Sequence, residues 1–126
     1  MSENDHTFET YKSMISISIE GIKSLVLLNG GAIIAMIGYL GQITNRAQQA
    51  SKASCPLACF VFGLSLACLC FFGSYFTQFA LFNESNNRKP SQSHMKFFII
   101  TSICAIASLI AFSVGAFWSI KVFASA

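Results

Sequence analysis

The chain has 126 residues, of which 54% are apolar and only 10% charged, and its mean hydropathy is +0.61. At that length it forms one domain at most, and with charged residues far below the rough quarter of a soluble domain it lacks the polar surface to stay in water as a monomer. The net charge of +3 comes from eight basic and five acidic residues. The basic ones are scattered rather than gathered in a stripe, so nucleic-acid binding has no support. Most of them flank apolar runs, where they suit anchoring at lipid headgroups.

Residues 1–7, MSENDHT, are polar and acidic, and are expected to form a disordered N-terminus. They have neither a basic n-region nor an apolar h-region, so no cleaved signal peptide is expected and the first span serves as the insertion signal. Myristoylation and prenylation signals are lacking as well. From 8 to 23 the run FETYKSMISISIEGIK admits two patterns. Ile15, Ile17 and Ile19 alternate with serines as in a strand. As a helix, the run puts Lys12, Ser16, Glu20 and Lys23 on a polar face and Tyr11, Ile15, Ile19 and Ile22 on an apolar one. An isolated strand beside a membrane has nothing to pair with, which favours the helix. This amphipathic helix lies at the interface or runs straight into the first span.

The first span, 24–42, reads SLVLLNGGAIIAMIGYLGQ. At about 1.5 Å per residue its apolar part covers roughly 27 Å, barely enough to cross unaided. A polar linker follows from Thr44 to Ser54, and Pro56 suits the first turn of a second helix. The second span, 56–82, carries no charge. The loop 83–96, NESNNRKPSQSHMK, is rich in turn formers, and the third span, 97–120, is again uncharged and ends at Lys121. Barrel strands of about 10 alternating residues do not fit these runs. The expected fold is therefore an all-α membrane protein with three transmembrane helices preceded by an N-terminal amphipathic helix. An odd number of spans puts the termini on opposite sides. A cytoplasmic N-terminus gathers five basic residues on that side against three, which favours it mildly.

Little in this chain points to chemistry. Cys55, Cys59, Cys68, Cys70 and Cys104 lack zinc-site spacing, and an odd number mostly inside spans makes a poor disulfide framework. They read as small apolar residues, with acylation of Cys55 as a weaker alternative. His6 and His94 sit in polar segments without a catalytic neighbour. Asn83-Glu84-Ser85 matches a glycosylation sequon but abuts the membrane. No hydrolase, metalloprotease or phosphate-loop motif occurs. No enzyme activity, cofactor or metal is expected. Spans without ionisable residues also argue against a single-chain ion-coupled transporter.

What remains is a helix-packing pattern. Small residues let helices approach closely in lipid, where apolar burial no longer drives association. The first span offers Gly31, Ala35 and Gly38, with Gly30 beside them. The third offers Ala105, Ser108, Ala111, Gly115 and Ser119 at steps of three and four. The sequence leaves open whether these seams join helices of one chain or of neighbouring chains. Asn29 belongs with them, because an unpaired amide in hydrocarbon costs a few kcal/mol. By its position in the span it lies about 6 Å deep. It is then either an interfacial amide beside a flexible Gly pair or a polar contact between subunits or along a pore.

The acidic lead-in followed by Leu28-Asn29-Gly30-Gly31-Ala32 resembles a recurring type of small uncharacterised bacterial inner-membrane protein, over roughly residues 8–42. The resemblance implies a bacterial inner-membrane location and no particular activity. The expected partners are the lipid bilayer and either further copies of the chain or another membrane protein. The leading expectation is a non-enzymatic membrane protein that self-associates and acts as a pore-type or permeability effector. The alternative is an accessory or scaffold subunit that anchors or regulates a larger complex through its N-terminal helix. A holin or an immunity protein ranks below these, since holins usually end in a charged tail and SIKVFASA carries a single cation.

Overall fold

The computed structural model describes residues 3–42, 46–85 and 93–124, all of them helical. Helix α1 spans Glu3–Gln42, α2 spans Arg46–Ser85 and α3 spans Ser93–Ala124. Each contains a stretch long and apolar enough to cross a membrane: Lys12–Gln42, Ala50–Asn83 and His94–Ala124. A chain with three such helices is a multi-pass membrane protein. Helices suit these runs because a bilayer offers backbone groups no partner outside the segment itself.

The hydroxyls along the spans follow the same rule. Ser65 donates to the Val61 carbonyl, Thr77 to Gly73, Thr101 to Phe97, Ser102 to Phe98, and Ser113 to Leu109, all at 2.8–2.9 Å. Each hydroxyl is thus satisfied four residues back on its own helix, without any neighbour.

Two boundaries differ from the expected ones. Helix α1 runs unbroken from Glu3 through Asn29-Gly30-Gly31 to Gln42, so the lead-in runs straight into the first span, one of its two expected placements, and residues 3–7 are helical where disorder was expected. The two faces of the lead-in do not sort by burial. Ile22 is buried and Ile15 half-buried, but Ile19 is exposed together with Lys12, Ser16, Glu20 and Lys23. Helix α2 likewise starts ten residues before Pro56 and absorbs most of the polar linker. Alanine, glutamine, arginine and lysine in that linker are good helix formers, and they extend the helix past the end of the apolar run.

Helices α2 and α3 pack antiparallel along most of their length, whereas α1 leans on α2 and meets α3 only sparsely. The α2–α3 seam is marked by Phe76 stacked on Phe97 at 5.9 Å, by Cys70 Sγ donating to the Thr101 carbonyl at 3.5 Å, and by Phe60 beside Phe112 at 5.8 Å. Glycines set the closest approaches. A Cβ on Gly115 would fall 2.8–3.1 Å from the Phe60 ring, and one on Gly73 would strike the Thr101 side chain. The core is small: Met36, Ala53, Phe60 and Val122, with Ala32, Ile33, Leu40, Leu57, Phe112 and Ala116 around it. Tyr39 meets Phe123 edge-on at 4.5 Å, closing the end where α1 and α3 terminate. Most large apolar side chains point outward instead, among them Leu27, Ile34, Phe62, Phe72, Ile103 and Ile120. In water that surface would drive aggregation; in a bilayer it is the lipid-facing wall.

Candidate functional site

All three helices meet at one buried polar junction. Asn29 of α1 and Ser108 of α3 are both fully buried, and Gly63 of α2 lies between them. Asn29 Nδ2 donates to the Leu25 carbonyl one turn earlier at 3.0 Å and to Ser108 Oγ at 3.3 Å. Ser108 Oγ in turn donates to the Gly63 carbonyl at 2.8 Å. The chain of donors fixes the amide orientation, since a flipped Asn29 would set its oxygen against the Leu25 carbonyl. Asn29 Oδ1 is left buried without a hydrogen-bond partner. It faces the α-carbon of Gly63 along the direction in which any other residue would carry a Cβ. Only glycine fits there, and its Cα–H is the group turned towards the oxygen.

Register places this junction deep. Ser108 is twelve residues from Lys96 and thirteen from Lys121, the charges that bracket the apolar stretch of α3. At about 1.5 Å per residue that is roughly 18 and 20 Å, the middle of the span. Asn29 is level with it, so the amide is central and not the interfacial group about 6 Å deep that its sequence position implies. The reason is that packing, not the edge of the apolar run, sets the height of α1.

The same register draws two charges inward. Lys23 and Glu20 lie six and nine residues before Asn29, about 9 and 13 Å along the axis. Half of a hydrocarbon core is about 15 Å. The spans therefore are not free of ionisable groups. Lys23 Nζ and Glu20 Oε1 form an ion pair at 2.8 Å, and both side chains are exposed on the outside of the bundle. Ser24, beside them, donates to the Glu20 carbonyl at 2.9 Å.

The residues singled out for packing divide by helix. On α3, Ser108 joins the junction and Gly115 is buried against Phe60. Ser119 is buried with its hydroxyl on the Gly115 carbonyl at 2.8 Å, and Ala105 and Ala111 are half-buried. This row faces into the chain's own bundle. On α1 only Asn29 does so. Nothing lies within 4 Å of the Cβ positions of Gly30, Gly31 or Gly38, and Ala35 is exposed. At steps of three and four, Glu20, Ser24, Leu27, Gly31, Ala35 and Gly38 share one outward ridge on the side opposite Asn29.

Gly63 was not legible from the sequence. A lone glycine in an apolar run has no period to mark it, and its requirement comes from a side chain on another helix. Among the described residues no three His, Cys, Asp or Glu side chains gather as metal ligands, and the polar groups of the junction are the Asn29 amide, the Ser108 hydroxyl and the Leu25 and Gly63 carbonyls. Its chemistry is that of a clamp. The chain matches no family model, no curated protein and no solved structure.

Proposed function

We propose that this is a non-enzymatic integral membrane protein that self-associates through the outward ridge of α1, with a change in membrane permeability as the consequence of assembly. The observation that carries the reading is the ridge itself: Gly31, Ala35 and Gly38 lie open next to an exposed Glu20–Lys23 pair. Charges facing hydrocarbon are costly and are retained where they meet a partner. A second copy related by a two-fold axis presents the same patch to the first. Small residues then let the two α1 backbones approach, and each Glu20 reaches the other copy's Lys23. Asn29 is committed inside the bundle, so polar contact between subunits falls to this pair.

An Ala35→Cys variant of a chain whose own cysteines are replaced should give a disulfide-linked dimer in native membranes. Adding Gly31→Ile should lower the yield at least tenfold, and induced expression should depolarise cells only with the parent ridge. Failure of Ala35→Cys to crosslink, together with a monomer in mild detergent, would sink the reading.

A second reading, an accessory subunit, has its own support. Twenty-six residues of α1 precede Asn29, whereas only fifteen of α3 precede Ser108. At about 1.5 Å each, α1 therefore reaches roughly 16 Å beyond α3. The extension covers residues 3–13, and Met14 and Ile17, exposed level with the start of α3, offer a partner an apolar grip at its base. A bacterial inner-membrane location with a cytoplasmic N-terminus is the setting we assign to either reading, on the resemblance of 8–42 and on the distribution of basic residues.

A further inference from the structure

Helix α2 carries a pair of thiols that neither the junction nor the α1 ridge uses. Cys55 and Cys59 are four residues apart, which sets them one above the other on one face of the helix. Both are free thiols, Cys55 exposed and Cys59 half-buried. Their side chains are close enough to interact with each other. We propose that this pair is a two-coordinate site for a soft divalent metal ion, mercury(II), which it takes from the lipid side and holds as an uncharged dithiolate.

The spacing suits two ligands in line. Metal–thiolate bonds are about 2.3 Å for zinc and a little longer for a larger ion, so two of them end to end span roughly 5 Å. Side chains at this helical spacing have Cβ atoms about 5–6 Å apart, which brings two sulfurs to that separation without moving the backbone. The other cysteines are placed differently. Cys68 and Cys70 are two residues apart and do not face each other. Cys70 is buried and its thiol donates to the Thr101 carbonyl at 3.5 Å, so a metal there would break a contact of the α2–α3 seam.

Depth selects the metal. Cys59 and Cys55 lie four and eight residues before Gly63, the α2 member of the mid-span junction, or about 6 and 12 Å from the mid-plane. Both fall within the half-thickness of about 15 Å of a hydrocarbon core. A charged complex is costly there. Two thiols and one mercuric chloride give one mercury dithiolate and two molecules of hydrogen chloride. Two S–H and two Hg–Cl bonds break, two Hg–S bonds form, and mercury keeps its oxidation state, so no oxidant or reductant is needed. Reactant and product are both uncharged. The same pair on copper(I) would carry a net negative charge. Zinc would be neutral but calls for four ligands, and among the described residues no third His, Cys, Asp or Glu joins these two. The site rests on α2 alone, so its test is independent of self-association.

The full chain with Cys68, Cys70 and Cys104 replaced by Ala, in mild detergent, is titrated with mercuric chloride in the presence of a small monothiol and read by native mass spectrometry. It should retain one mercury per chain with no monothiol attached, because both coordination positions are filled by protein sulfur. A chain keeping only Cys55 and Cys68, both exposed, has the same number of thiols at the wrong spacing. It should carry monothiol-capped mercury and lose it at a monothiol concentration on the order of 100-fold lower. In the otherwise unchanged chain, Cys59→Ser should remove one uncapped mercury. Zinc chloride at the same concentration should not be retained. Capped mercury on the Cys55–Cys59 chain, equal stripping of the two chains, or retention of zinc would each overturn the proposal.

Discussion

Asn29 donates both amide hydrogens, one to its own helix and one to Ser108, yet its oxygen meets only the α-carbon of Gly63. In a bilayer such groups have no water to fall back on, but measured hydrogen bonds between membrane helices average only about 0.6 kcal/mol, with a maximum near 1.7. Ser108→Ala removes both the acceptor for Asn29 and the donor to Gly63. It should destabilise the bundle by about 1 kcal/mol, read as unfolding in mixed micelles. A double-mutant cycle with Asn29→Ala should return a coupling of the same order. Zero coupling would mean that the amide bonds only to Leu25. The sequence marks Asn29 as a polar group in need of a partner and Ser108 as part of a small-residue row. It does not pair them, because 79 residues separate the two and no local signal spans that distance.

Glycines that look alike along the chain carry different weight once the helices are assembled. Gly115 sits against the Phe60 ring, which is itself buried beside Phe112. Gly38 has open space where its Cβ would be. Gly115→Ala should therefore cost about 1–3 kcal/mol through overpacking. Gly38→Ala should leave the monomer no less stable, and a gain of up to about 1 kcal/mol is expected from helix propensity. Unfolding of the two variants in the same detergent checks the opposite signs. Periodicity placed small residues on common faces of the first and third spans, and both rows do lie on common faces. Which face turns inward depends on the neighbouring helix, and that is decided by contacts such as Gly115 with Phe60.

Across the whole molecule, charge and register determine how the bundle meets the bilayer. The basic count puts five residues at the end that holds the N-terminus and three at the other. The acidic residues crowd the first end, but orientation follows Lys and Arg rather than net charge. A reporter fused at the C-terminus should therefore prove non-cytoplasmic. A cytoplasmic reporter would reverse the orientation. Length and hydropathy by themselves determined that three helices cross a membrane, because the cost of unpaired backbone groups in lipid leaves such apolar runs no other form. Only the tertiary structure decided how high α1 sits. Side-chain packing at Asn29, Gly63 and Ser108 outweighs the edge of the apolar run, and it carries the Glu20–Lys23 pair below the headgroups and turns Gly31, Ala35 and Gly38 outward.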